Sequence, residues 1–129
     1  MNLRKLSLIA LDGSFAIVRL DPDVPIPVWA CTKGFCSITR TSEELSIVVH
    51  EINLPEDVGG DRGWRCWRIA GTFDLANETG VVASVASPLA EAKVGLFVVS
   101  TYDTDYVLIK SERAAQAADV LRAAGHTVD

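Results

Sequence analysis

The chain has 129 residues and a formal net charge of −5, from 12 Lys and Arg against 17 Asp and Glu. It is 49% hydrophobic and 22% charged, which suits a buried core and excludes a disordered or low-complexity chain. No basic cluster exceeds Arg4-Lys5, and no apolar run approaches the roughly 18 residues of a membrane helix, so neither nucleic acid nor membrane is an expected partner. The short apolar run after Lys5 has no cleavage site, which predicts a soluble, cytoplasmic protein.

Residues 3–11 and 15–20 read as two strands joined across Asp12-Gly13, a hairpin signal. The proline-rich segment 21–27 is stiff and leaves room for at most one short helix ending at Cys31. Residues 35–40 and 45–50 form a second strand pair, and 51–62 is too polar and too rich in Gly and Pro for a full helix. Gly59-Gly60-Asp61-Arg62-Gly63 reads as a loop between two halves. A phosphate-cradling role does not suit it, because neither Lys-Ser/Thr nor a helix follows.

The second half is patterned more clearly. A strand over 64–70 precedes a polar loop over 71–78, and apolar residues at 82, 85, 86 and 89 predict a helix within 79–93, with Pro88 expected to kink it or remove a hydrogen bond. Strands over 95–101 and 106–109 flank the turn 102–105. Ser111 is a plausible N-cap for a helix running to Ala124, Gly125 stops it, and 126–128 adds a last short strand. The order is β-α-β-β-α-β, the ferredoxin-like pattern. The first half is a degenerate version of it. "SITRTSEELSIV" from Ser37 and "STYDTDYVLI" from Ser100 both read strand, polar turn, strand, which suggests an internal repeat. The expectation is an α+β protein of two ferredoxin-like units packed together, residues 1–62 and 63–129.

The chemistry-bearing residues are few. Cys31, Cys36 and Cys66 are expected as buried free thiols, since four soft ligands at zinc spacing are lacking. His50 and His126 read as satisfied or solvent-facing. Asp103-Thr104-Asp105 has the spacing of a cation site but also of turn chemistry. Hydrolase, metalloprotease and nucleotide-binding motifs are all missing, so no catalytic residue, metal or cofactor is expected. Trp64 and Trp67 fall on opposite faces of one strand, one for the core and the other for an edge or interface. "WRCWRI" hints at RNA stacking, against which the overall acidity argues.

The candidate constellation is Glu78, Thr79, Gly80 and Val81 with Thr101, Tyr102 and Asp105. In a β-α-β-β unit the first strand-to-helix loop and the ends of the next strands share one sheet edge. Gly80 at the helix start allows close backbone approach, and free N–H groups there attract a carboxylate. Glu78 and Asp105 would accept from an ammonium or guanidinium. A zwitterionic amino acid needs both features. The competing reading is that Thr79 caps the helix and Asp105 shapes the turn.

Residues 79–110, "TGVVASVASPLAEAKVGLFVVSTYDTDYVLIK", resemble the ACT domain, a small-molecule-binding regulatory module of βαββαβ fold. Together with "GFCSITRTSEELSIV", the run from Ser87 resembles the short bacterial tandem-ACT proteins, related to the regulatory regions of aspartate kinases and to the cytosolic arginine sensors of animal cells. The resemblance spans about Phe15 to Val128. It implies a ligand site at Glu78, Gly80, Thr101, Tyr102 and Asp105, with backbone around Ser37 and Ile38 contributed by the opposing half. It further implies a non-enzymatic sensor of a free amino acid or similar small zwitterion, homodimeric, acting on a regulated partner protein. The alternative is an interaction or dimerisation module with a vestigial pocket.

Overall fold

The computed structural model describes residues 4–74 and 76–129. Leu3, placed at the start of the first expected strand, and Leu75, within the expected polar loop, lie outside the described residues. The elements are β1 (Ser7–Ala10), β2 (Phe15–Leu20), β3 (Ser37–Arg40), β4 (Leu45–His50), β5 (Asp61–Ile69), α1 (Val81–Glu91), β6 (Phe97–Ser100), β7 (Asp105–Lys110), α2 (Ser111–Ala123) and β8 (Thr127–Val128). Short 3-10 helices cover Val28–Cys31 and Glu51–Asn53. Among the described residues no helix is long and apolar enough to cross a membrane.

The chain divides into two units, Gly13–Trp64 and the remainder, the latter comprising the described residues up to Asp12 together with 65–129. The division therefore departs from the expected 1–62 and 63–129 at its start, because β1 belongs with the C-terminal unit. The unit boundary falls inside β5, not in a linker.

In the C-terminal unit the strand order is β6-β7-β5-β1-β8. This is the ferredoxin-like βαββαβ arrangement with β1 inserted between β5 and β8. β1 runs antiparallel to β5, Leu8 facing Ile69, and parallel to β8, Leu8 facing Val128. The expected β1–β2 hairpin does not form, since the two strands are not neighbours. Asp12-Gly13 is a local signal, whereas β1 satisfies its backbone groups against the longer β5 and the two-residue β8. Inward residues of the strands (Leu8, Trp67, Ile69, Val107, Ile109) meet Val81, Val85 and Leu89 of α1 and Ala117 and Leu121 of α2 in one core. The spacing of 81, 85 and 89 puts those three on one helical stripe.

The N-terminal unit repeats the order in worn form. Its strands run β3-β4-β2-β5, and 3-10 helices stand where α1 and α2 would be. Ala16, Val18, Leu45, Ile47, Val49 and Leu54 form its core. The stretch expected as a loop, Gly59 to Gly63, already enters β5. Phe15 pairs with Trp64 and Ile17 with Asp61, so one residue of β2, Ala16, opposes two of β5, Arg62 and Gly63, and Gly63 takes φ +84° at this bulge. A Cβ on Gly60 would lie 3.1 Å from Val18, so its glycine permits close approach of β2.

Two expectations about single residues are corrected. Cys31 and Cys36 are not free thiols but are joined in a disulfide, because the turn through Gly34 (φ +79°) brings their Cα atoms to 5.7 Å, within bonding reach. Only Cys66 is a free, buried thiol, pushed up to about 12 by burial. Ser111 opens α2 but does not cap it; the N-cap is Lys110, whose side chain makes no capping hydrogen bond. Trp67 is in the core and Trp64 is half-buried.

Candidate functional site

Between β5 and α1 the chain forms a loop tied down by its own polar groups. Phe73 N–H donates to the Asp103 carbonyl at 2.7 Å, docking the loop on the β6–β7 turn. Asp74 N–H donates to Glu78 Oε2 at 2.5 Å, and Glu78 N–H returns to the Asp74 carbonyl at 2.7 Å. This reciprocal pair fixes the Glu78 carboxylate just before the helix. Gly80 then takes φ +80°, a left-handed conformation, and serves as N-cap without a side-chain cap. Thr79 therefore does not cap α1. The first intrahelical bond of those recorded at this end is Ser84 N–H to the Gly80 carbonyl, which leaves the N–H groups of Val81, Val82 and Ala83 without helical acceptors. No acidic residue sits in the first turn to consume their dipole.

Those first-turn residues line a cavity of about 250 Å³ together with Glu78, Gly80, Ser100 and Asp105. Asp105 is 1% exposed. Its Oδ1 accepts from the Ser100 hydroxyl, while Oδ2 is buried with no hydrogen-bond partner among the described residues. A buried carboxylate oxygen left unsatisfied costs free energy, about 1–3 kcal/mol or more for a charged group. It stands in the same small cavity as the uncapped start of a helix. That pairing of an acceptor with backbone donors that lack helical acceptors matches the two ends of an α-amino acid.

A second cavity, about 770 Å³, adjoins the first through Glu78, which lines both. Its other walls include Phe73, Asp74, Thr101, Tyr102 and Asp103. Thr101 is largely used by the turn: its hydroxyl donates to the Thr104 carbonyl and accepts from Thr104 N–H. Thr104 in turn donates to the Ile69 carbonyl at 2.7 Å. The turn is thus held by Thr101 and Thr104, with the Ser100–Asp105 side-chain bond closing the hairpin at its base. Asp103 and Asp105 line different cavities. Tyr102 is 96% exposed, its ring standing free at the rim.

Of the expected site residues, Glu78, Gly80, Val81 and Asp105 share the smaller cavity, and Thr101 and Tyr102 join Glu78 in the larger. Thr79 lines neither. Ser37 and Ile38 stand on β3 of the N-terminal unit, opposite Val48 and Ile47 of β4. Sequence reasoning missed Ser100, Phe73 and Arg4. Arg4 Nη1 lies 3.1 Å from Glu78 Oε1, and its guanidinium carbon is 5.2 Å from the Phe73 ring centroid. Nothing local to Arg4 signals this, since its partners are about seventy residues away.

Comparison with known proteins bears on the family and the fold. The family model described as "ACT domain" matches residues 60–123, and a second model, described as an N-terminal domain, matches residues 13–57. The cytosolic arginine sensor for mTORC1 subunit 1 of Rattus norvegicus is 27% identical over 99 residues, 77% of this chain and 29% of that protein. The chain therefore spans less than a third of that relative's length. Among solved structures, the protein Atu0741 of Agrobacterium tumefaciens superposes with a TM-score of 0.91 at 45% identity, covering 98% of this chain and 93% of that one. The regulatory subunit of aspartate kinase from Thermus thermophilus shares the fold, with a TM-score of 0.57 at 14% identity over 96% of this chain and 99% of that one.

Proposed function

The chain is an ACT-type protein, and from that premise we propose that it is a non-enzymatic regulatory protein that binds a free amino acid at the start of α1. The observation that carries the reading is Asp105, whose unpartnered, buried Oδ2 lines one small cavity with the uncapped first turn. In this reading the ligand carboxylate takes the N–H groups of Val81, Val82 and Ala83. Its ammonium takes Asp105 Oδ2, and its side chain runs past Glu78 toward Phe73 and Tyr102. The ligand thus supplies both missing partners at once, which is why a zwitterion fits better than an anion or a cation alone. The relatives named as arginine sensors make arginine the first ligand to try.

Ligand binding then changes affinity for a regulated protein in the cytosol, through whatever differential affinity the ligand has for two states of the chain or of a homodimer. A second reading, an interaction module with an unused pocket, draws on the 96% exposure of Tyr102. A thermal-shift screen against the twenty amino acids separates them. A ligand at 100 times its Kd stabilises by about 2.7 kcal/mol, several degrees for a domain of this size. A rise with one or a few amino acids supports the sensor, and no rise with any of them favours the interaction module.

A further inference from the structure

Arg4 reaches the site from the N-terminal strand side and touches two of its walls, Glu78 at 3.1 Å and the Phe73 ring at 5.2 Å. Its backbone N–H donates to the Ser84 hydroxyl at 2.7 Å, so the residue is anchored on α1 independently of its side chain. A carboxylate beside an aromatic face is the combination that recognises a guanidinium or ammonium group. Both halves of that combination are engaged by a residue of the chain itself. We propose that Arg4 is a specificity-determining residue: its guanidinium occupies the place where a cationic ligand side chain would meet Glu78, so a cationic amino acid binds only by displacing it. A small neutral amino acid, whose side chain offers Glu78 no cation, binds without disturbing it.

The device is poised for displacement. The Arg4 and Glu78 side chains are 37% and 35% exposed, and ion pairs this wet are held weakly. Glu78 stays in place when Arg4 leaves, because its other oxygen accepts from Asp74 N–H. Arg4 thereby raises the concentration at which a cationic ligand registers and leaves neutral ligands unaffected. The inference rests on the amino-acid reading of the cavity.

The test compares calorimetric titrations of L-arginine and L-alanine into wild type, R4Q and R4K. R4Q keeps the backbone donor to Ser84 and removes the competing charge. The expected result is arginine binding about two- to fivefold tighter in R4Q, the factor for losing an exposed competing ion pair. Alanine binding stays unchanged and R4K stays near wild type. Arginine affinity equal or lower in R4Q, with alanine still bound, overturns the Arg4 proposal and leaves the amino-acid site standing. Equal gains for both ligands also overturn it, since a general loosening then explains them. Absence of binding by either ligand in all three proteins overturns both readings.

Discussion

His126 Nε2 lies 2.7 Å from the Ser84 carbonyl oxygen, the one acceptor in α1 whose regular helical donor is missing because the residue four positions on is Pro88. His126 Nδ1 accepts from Leu6 N–H at 3.0 Å, so the ring carries its proton on Nε2 and donates it to Ser84. The histidine is 6% exposed and ties the approach to β1, the middle of α1 and the approach to β8 together. The cost of a proline inside the helix is offset by a side chain from the far end of the chain.

His126→Ala therefore orphans a buried carbonyl and a buried N–H in one step. The expected loss is about 2–4 kcal/mol in urea unfolding. A loss under about 0.5 kcal/mol would show that water or a local shift satisfies both groups.

Asp105→Asn keeps the shape and the bond from the Ser100 hydroxyl but removes the buried charge. Amino-acid binding should fall at least tenfold, while the ligand-free protein melts at the same temperature or higher, as expected where a site holds an unsatisfied group for function. Unfolding on substitution, or undiminished affinity, would assign Asp105 to structure instead.

Gly80→Ala forces a Cβ into φ +80°, at a cost of about 1–2 kcal/mol, and disturbs the helix start that the ligand carboxylate needs. Gly59→Ala is the matched control: a Cβ there meets nothing within 4 Å, so stability should change by less than about 0.5 kcal/mol. Equal effects from the two substitutions contradict the role given to Gly80.

Burial raises the Cys66 thiol from 9.0 to about 12, so the native state keeps a proton that the unfolded chain releases. Its contribution is complete below pH 9 and is lost as pH rises toward 12, by up to about 1.4 kcal/mol per pH unit. Cys66→Ala should flatten that alkaline slope relative to wild type. With the Cys31–Cys36 disulfide intact, a thiol reagent should find no reactive group in the native protein and one, Cys66, after unfolding without reductant. Three reactive thiols under those unfolding conditions would mean the bond is absent.

What was legible followed from local periodicity. β2 and β4 occupy 15–20 and 45–50 as expected, and the βαββαβ order of the second half follows from its helical and strand spacings. What escaped was decided by long-range pairing. β1 chose β5 and β8 over a hairpin with β2, and the glycine-rich stretch became a bulged strand because Phe15 and Ile17 pair across it. At the site, Glu78, Gly80 and Val81 are close in sequence and Asp105 follows the turn, so the β-α-β-β order alone brings them to one sheet edge. Arg4 and Phe73 are brought to Glu78 only by the fold, and no spacing announces them.

The most direct test of the central claim is a nitrogen-15 NMR titration of the whole chain with L-arginine, read at the amides of residues 78–84 and 100–106. The account predicts saturable shifts concentrated at Gly80, Val81, Val82 and Asp105 that vanish in Asp105→Asn. Shifts that never saturate, or that gather elsewhere while residues 78–84 stay still, would contradict an amino-acid site at the start of α1.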